Sequence, residues 1–192
     1  MGNVTSIGLV YGSVRERRMC DTVVGWVERQ LFLRADLLLY VIDPAYPGTR
    51  AGIEGRNPKA RADFLNRLGL CDGFIVVTPE FNHSFPAPLK ALIDSASAEW
   101  AAKPVGFVSY GGIPGGQHAV EQLRLVFSER QAVGIGGAVS FANVSQAFDN
   151  NGEPLDKAGP VKALDAMLRR LVWWSNVLKQ ARTVQSCEEV AV

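Results

Sequence analysis

Short apolar runs alternate along the chain with segments in which apolar residues recur at helical spacing. The five runs, each predicted to be a strand, cover residues 4–11, 37–42 (LLLYVI), 73–78 (GFIVVT), 105–109 (VGFVS) and 137–141 (GAVSF). Because these runs are almost continuously apolar and do not alternate with polar residues, they predict strands covered on both faces, as in a parallel sheet.

The segments between the runs predict helices. Their apolar positions recur every three or four residues: Val23, Val27 and Leu31; Ala60, Phe64 and Leu68; Leu89, Leu92 and Ile93; Val120, Leu123, Val126 and Phe127; Val161, Leu164, Leu168, Leu171 and Val172. Strands and helices in alternation predict βαβ units and a doubly wound α/β sheet in one domain, residues 1–192. Residues 44–58 and 143–160, rich in turn signals, are predicted to be long loops.

Composition narrows the function classes. The 192 residues carry a formal charge of +1, too small an excess of cations for binding nucleic acid by bulk electrostatics. No apolar run reaches the length of a membrane span, and the first residues do not resemble a signal peptide, so we expect a cytoplasmic protein with no membrane partner. The three cysteines, Cys20, Cys71 and Cys187, are widely spaced without a CxxC motif, and with only two histidines no metal site is predicted.

Three predicted loops follow strands one, three and four, where ligands bind in open α/β sheets. The first, GSVRERR at residues 12–18, combines a glycine, the Ser13 hydroxyl and three arginines at a helix N-terminus. Helix N-termini and arginine forks bind phosphate groups, so this loop is a candidate anion site. The alternative is a solvated basic first turn.

The second loop lies in TPEFNHSFPAPLKALID, residues 78–94, where three prolines restrict the backbone. Such a rigid loop can hold its N–H and C=O groups against a planar heterocycle; the alternative is a turn capped by Ser84. The third loop, SYGGIPGGQ at residues 109–117, has four glycines and Tyr110, which could stack or hydrogen bond; the alternative is a flexible connection. Together the loops predict a site for a phosphorylated aromatic ligand.

These three motifs resemble the NAD(P)H-dependent FMN reductase family, which contains quinone, chromate and azo-dye reductases. The family pattern is close to GSxR, then PEYN-x-S-x-P-x-x-LK-x-x-ID, then a glycine-rich turn, and the resemblance extends from Val4 to about Leu178. It implies a flavodoxin-like three-layer fold with five parallel strands in the order 2-1-3-4-5. It also implies noncovalent FMN, NADPH or NADH as co-substrate, a small-molecule electron acceptor, and a homodimer or homotetramer.

The resemblance also implies the contacts to FMN. Ser13 and Arg15 would bind its phosphate. The flavin ring would be lined, largely by backbone groups, by Pro79, Glu80, Phe81, Asn82 and His83. Ser84 would cap the next helix or touch the flavin edge, and Tyr110, Gly111 and Gly112 would contact the ring or the ribityl chain.

Two departures from the family pattern change side-chain chemistry. Arg18 and Cys20 stand where relatives often carry a small or hydroxyl residue and an asparagine, so Arg18 is expected either to bind phosphate or to point into solvent. Phe81 replaces the usual tyrosine and lacks its hydroxyl. Hydride transfer from NAD(P)H through FMN requires no side-chain acid or base, so no catalytic residue is assigned, although N–H groups of residues 110–112 are expected to stabilise charge on the flavin.

The electron acceptor stays open between a quinone, an azo or nitro compound and a metal oxyanion. Two alternatives also remain: a flavin reductase that supplies reduced FMN to a partner monooxygenase, and a flavodoxin-like electron carrier or redox sensor without NAD(P)H turnover. The balanced charge counts against the carrier, because flavodoxins usually have a strongly acidic surface.

Overall fold

The computed structural model describes residues 4–185 and Cys187, so Met1 to Asn3 and most of the last seven residues of the predicted domain lie outside the described part. Strands are β1 (Thr5–Tyr11), β2 (Leu37–Ile42), β3 (Gly73–Pro79), β4 (Pro104–Tyr110), β5 (Val133–Gly134) and β6 (Val139–Phe141). Helices are α1 (Met19–Phe32), α2 (Pro47–Glu54), α3 (Pro58–Gly69), α4 (Ala87–Asp94), α5 (Gln117–Glu129) and α6 (Gly159–Val184), with a 3₁₀ turn at Val144–Gln146.

The strands form one parallel sheet in the order β2-β1-β3-β4-β5, which confirms the predicted 2-1-3-4-5 topology. Every residue of β3 and β4 is buried, as their continuous apolar sequences predict. Successive side chains of a strand point to opposite faces, so Phe74 and Val76 belong to one core cluster and Ile75 and Val77 to the other.

Helices cover both faces of the sheet. Helices α1 and α6 pack on one face, around a core that contains Ile75 and Val77. Helices α3, α4 and α5 pack on the other, around Phe74 and Trp100. This doubly wound arrangement sends the carboxyl ends of β1, β3 and β4 to one rim of the sheet.

The fifth position of the sheet differs from the prediction of a single strand at residues 137–141. Two short pieces lie beside β4: β5 pairs with Pro104 and Val105, and β6 pairs with Val108 to Tyr110. Gly137, between the two pieces, has φ +83°, a left-handed conformation that interrupts an extended strand.

Strand β2 is not covered on both faces as predicted. It is an edge strand, and Leu38 and Val41 are exposed. Edge strands have one neighbour instead of two, and burial of the apolar run LLLYVI is correspondingly incomplete.

Residues 44–58 were predicted to be a loop, but α2 occupies most of this range. Its buried residues are Thr49 and Gly52, so it lacks the apolar periodicity that marks a helix in sequence. Gly52 lies so close to α3 that a Cβ there would meet the Ala60 carbonyl oxygen and the Phe64 Cβ, each at 2.6 Å. The predicted loop at 143–160 likewise contains the 3₁₀ turn. None of the described helices is both long and apolar enough to cross a membrane.

Candidate active site

A cleft of about 360 Å³ lies at the rim where β1, β3 and β4 end. Its lining residues are Ser13, Arg15, Glu16, Arg17, Arg18, Met19, Pro79, Glu80, Phe81, Tyr110, Gly111 and Val144. The three loops singled out from the sequence therefore meet in one cleft, and its volume lies within the range of small-molecule sites.

The loop after β1 packs closely against β3 where it reaches the cleft. The Gly12 N–H donates to the Val77 carbonyl oxygen at 2.7 Å, and a Cβ at Gly12 would lie 2.6 Å from the same oxygen. Ser13 is buried, and its hydroxyl accepts a long hydrogen bond of 3.4 Å from the Arg15 N–H. Arg17 has φ +50°, a strained conformation of the kind that concentrates at binding sites.

Of the two alternatives expected for Arg18, the structure contradicts the one in which it points into solvent. Its guanidinium forms a two-pronged ion pair with Asp43, at 2.9 Å and 2.5 Å, and also donates to Asp21 and to the Ser13 carbonyl oxygen. Hydrogen bonding to Asp43 raises the pKa of Arg18 above its ordinary value. The Arg18 side chain is only 10% exposed, so it ties the loop after β1 to the end of β2 instead of pointing into solvent.

Arg15 and Phe81 meet across the cleft. The Arg15 guanidinium carbon lies 3.7 Å from the centroid of the Phe81 ring, within the range of a cation–π contact. The loss of the tyrosine hydroxyl at Phe81 leaves this ring face intact.

The turn after β3 is a closed hairpin. Phe81 and Ser84 exchange backbone hydrogen bonds of 2.8 Å and 3.1 Å. Asn82 and His83 between them have φ of +52° and +62°, and positive φ at both central residues is the mark of a type I′ turn. Ser84 does not cap α4, whose N-cap is Pro86; its hydroxyl donates to Gln122 Oε1 at 2.6 Å.

The Glu80 carboxylate bonds to the start of α5. One oxygen lies 2.9 Å from His118 Nδ1, and the other accepts the His118 backbone N–H at 3.1 Å. Burial opposes ionisation of Glu80, but these hydrogen bonds outweigh it and hold its pKa below the usual range. The same bond from Glu80 raises the pKa of His118.

The loop after β4 offers fewer free groups than the sequence suggests. The Gly111 N–H donates to the Phe141 carbonyl oxygen at 3.2 Å, and Tyr110 is a core residue, 4% exposed. Burial also raises the pKa of Tyr110. The Gly112 N–H has no acceptor within the described part of the chain, so it is the donor of residues 110–112 left for a ligand.

The cleft contains eight of the twelve residues expected to bind the cofactor, and four lie off its lining. The eight are Ser13, Arg15, Arg18, Pro79, Glu80, Phe81, Tyr110 and Gly111, and the four are Asn82, His83, Ser84 and Gly112. Sequence reasoning missed Glu16, Arg17, Met19 and Val144 in the lining. The first three lie within or beside GSVRERR, so the motif indicated their position, but Val144 lies in the predicted loop at residues 143–160 and belongs to none of the three motifs.

The donor set fits the FMN that the resemblance implies. Within the described residues, the N–H groups of Val14, Glu16 and Arg17 have no protein acceptor. These residues precede the N-terminus of α1, in the same loop as Arg15, and backbone dipoles and cations at such a position favour a phosphate. Pro79 and Phe81 add apolar surface to the same cleft.

Comparisons with known proteins agree with this geometry. The sequence profile of the NADPH-dependent FMN reductase family matches residues 5–146. An NAD(P)H-dependent FMN reductase of Schizosaccharomyces pombe is 33% identical over 129 residues, which cover 62% of this chain and 63% of that protein. A quinone reductase of Pseudomonas putida is 31% identical over an alignment that covers 91% of this chain and 96% of the relative.

A solved structure shows the same fold. The flavoenzyme NAD(P)H:(acceptor) oxidoreductase FerB of Paracoccus denitrificans superposes with a TM-score of 0.66 at 17% identity, over 92% of this chain and 98% of that one. This likeness confirms the predicted flavodoxin-like fold, and the sequence profile and the Pseudomonas putida relative confirm the predicted family. The chain belongs to the NADPH-dependent FMN reductase family, whose members are oxidoreductases that use FMN with NAD(P)H as electron donor.

Proposed function

We propose that this protein is an FMN-dependent oxidoreductase that takes electrons from NADPH or NADH and passes them to a quinone. The observation that carries the proposal is the convergence of the loops after β1, β3 and β4 in one cleft. The likeness to the quinone reductase of Pseudomonas putida supports a quinone over an azo, nitro or metal-oxyanion acceptor.

The residues of the chain would bind FMN and orient it. The Ser13 hydroxyl, Arg15 and the free N–H groups of Glu16 and Arg17 would hold the phosphate, while Arg18 fixes this loop through Asp43. When bound, FMN would supply the redox chemistry, because its ring can take hydride from a nicotinamide and pass electrons to an acceptor.

The residues after β3 and β4 frame the ring. Pro79, Glu80 and Phe81 supply the edge, and Asn82, His83 and Ser84 shape the turn that holds it. The main chain of Tyr110 and Gly111 forms the floor, and the Gly112 N–H is the donor for developing negative charge. No side chain is assigned as a general acid or base.

A spectroscopic titration tests this function. The flavin-free protein is titrated with FMN, reduced anaerobically with NADPH or NADH, and then mixed with benzoquinone, an azo dye, a nitroaromatic compound or chromate. Reduction by a nicotinamide followed by faster reoxidation with benzoquinone supports the proposal. Binding without reduction identifies an electron carrier instead, release of reduced FMN into solution identifies a flavin reductase, and failure to bind FMN contradicts all three.

We also propose that the protein forms a dimer or tetramer and is cytoplasmic. Phe32 and Trp173 are 92% and 58% exposed, and large apolar side chains on the surface often mark an interface between subunits. Light scattering during size-exclusion chromatography should give the mass of a dimer or tetramer, and a monomer mass would contradict this part. The free thiols of Cys20, Cys71 and Cys187 fit a reducing compartment.

A further inference from the structure

The fold brings both histidines of the chain to one carboxylate at the rim of the sheet. We name Glu80, His83 and His118 the His–His–Glu cluster. One ligand atom from each of the three side chains lies within 4.8 Å of the other two. The His83 and His118 rings are 4.3 Å apart between centroids, tilted by 41°, and Glu80 Oε1 is 2.9 Å from His118 Nδ1.

The positions of the two histidines relative to each other are fixed by Gln122. Gln122 lies one turn after His118 on α5, and its amide nitrogen donates to the His83 carbonyl oxygen at 2.6 Å. Its amide oxygen accepts from the Ser84 hydroxyl at 2.6 Å. The turn that carries His83 is thus bonded to the helix that carries His118 without any ligand.

The turn itself holds His83 at a backbone cost. His83 has φ +62°, a left-handed conformation that is uncommon for residues other than glycine, although histidine adopts it more often than most side chains do. Glycine is the usual second central residue of a type I′ turn, yet histidine stands here. A strained backbone under a side chain that can bind a metal is a pattern found at functional sites.

The donor set selects a class of ion. Two imidazoles and one carboxylate are the ligands of divalent first-row transition metals, and a His₂Glu set with an open fourth position is a known arrangement for Zn²⁺. The His118 backbone N–H donates to Glu80 Oε2. This bond orients the carboxylate so that Oε1 faces the His118 imidazole. His83 is exposed and the His118 side chain is 40% exposed, so an ion can enter from solvent.

We propose that Glu80, His83 and His118 form a binding site for a divalent transition-metal ion, with Zn²⁺ as the best match. The site is separate from electron transfer through flavin, since His83 and His118 do not line the cleft, and Glu80 is the one residue shared with it. The proposal does not depend on FMN binding.

The test uses the tag-free chain freed of metal with a chelator. Calorimetric titration with zinc chloride is expected to give one site per chain. Because the chain has two histidines in all, imidazole NMR signals provide an independent readout, and both rings should shift on addition of Zn²⁺. Co²⁺ in place of Zn²⁺ should give the visible absorption of a low-coordinate site.

Three variants and one control locate the ion. His83→Asn keeps a residue that tolerates positive φ, and His118→Gln keeps a helix-forming residue, and each should weaken Zn²⁺ binding more than about tenfold. Gln122→Ala keeps all three ligands and should weaken binding roughly tenfold because the turn is no longer tied to α5. Cys187→Ser, which removes a partly exposed thiol that could also bind zinc, should leave affinity unchanged.

The proposal is overturned by calorimetry that detects no site, by imidazole signals that do not respond to Zn²⁺, or by equal affinity in wild type, His83→Asn and His118→Gln. A loss of binding confined to Cys187→Ser would assign the ion to the thiol and also overturn it. Circular dichroism confirms folding of each variant, and if a histidine variant does not fold, the NMR titration of the wild type decides.

Discussion

The Arg15 guanidinium carbon lies 3.7 Å from the centroid of the Phe81 ring, which joins the loop after β1 to the turn after β3 across the cleft. A cation over an aromatic face contributes about 0.5–2 kcal/mol, depending on its exposure. The pair therefore links Arg15, which is proposed to bind the phosphate, to Phe81, which is proposed to line the flavin ring.

Arg15→Ala is expected to weaken FMN binding at least tenfold. The arginine supplies a charged fork to the phosphate, and loss of a hydrogen bond to a charged group costs about 1.5–3 kcal/mol. Quenching of flavin fluorescence during titration measures the affinity.

Arg29→Ala is the matched control for this change. Arg29 lies on α1, pairs with Glu153 and does not line the cleft, so its loss should leave FMN affinity unchanged. Equal affinities for wild type and Arg15→Ala would show that the phosphate lies elsewhere.

Arg18→Ala is expected to lower the free energy of unfolding by about 2–3 kcal/mol, because it leaves Asp43 without its two-pronged partner in a mostly buried position. Urea unfolding of the flavin-free protein measures the loss. Arg34→Ala breaks the more exposed pair with Asp36 and should cost less than about 1 kcal/mol. Similar losses in both variants would mean that the Arg18 pair has no special structural role.

Two glycines of the GGIPGG loop should respond differently to alanine. Gly116 has φ +86°, and a Cβ there would lie 2.7 Å from Ser109 Cβ and 2.8 Å from the Tyr110 nitrogen. Gly116→Ala should therefore cost about 2 kcal/mol or more. A Cβ at Gly112 meets nothing within 4 Å, so Gly112→Ala should change stability by less than about 0.5 kcal/mol. Thermal unfolding compares the two, and equal shifts would contradict the described loop.

Lys103 gives stability a predictable dependence on pH. Burial lowers its pKa to about 8 from 10.5, although its ammonium donates to the Leu68 and Gly69 carbonyl oxygens. Between about pH 8 and 10.5 the unfolded chain binds more protons at Lys103 than the folded chain does, so this residue's contribution to stability rises with pH. At 1.36 kcal/mol per pKa unit the full gain is roughly 3 kcal/mol.

Lys103→Met removes this dependence. The free energy of unfolding of the wild type minus that of the variant should increase from pH 8 to pH 10.5, measured by urea unfolding at each pH. A difference that stays constant over this range would mean that the ammonium is not desolvated in the folded chain.

The sheet was predictable because each strand is marked by a short apolar run in its own sequence. Continuous apolar runs such as β3 and β4 fill both faces, and the residues that follow them reach the same rim whatever the loop details. Helix α2 was missed for a local reason as well. It packs against α3 through Gly52. In the sequence, glycine and proline residues predict a turn or loop and not a helix.

The contacts within the site were less predictable. Arg18 pairs with Asp43, and Glu80 binds His118, 38 positions further along the chain. No periodicity relates such residues, since the register of the sheet and the start of α5 bring them together. The role of Arg18 and the meeting of the two histidines therefore became visible only in three dimensions.

The central claim is that the cleft at the ends of β1, β3 and β4 holds FMN and uses it for NAD(P)H-dependent reduction of a quinone. The most direct measurement is anaerobic stopped-flow absorbance of the FMN-loaded protein, mixed first with NADPH or NADH and then with benzoquinone. We predict that the visible flavin band bleaches with the nicotinamide and returns with one equivalent of quinone. A band that persists with both nicotinamides, or that stays bleached after quinone is added, would contradict the claim.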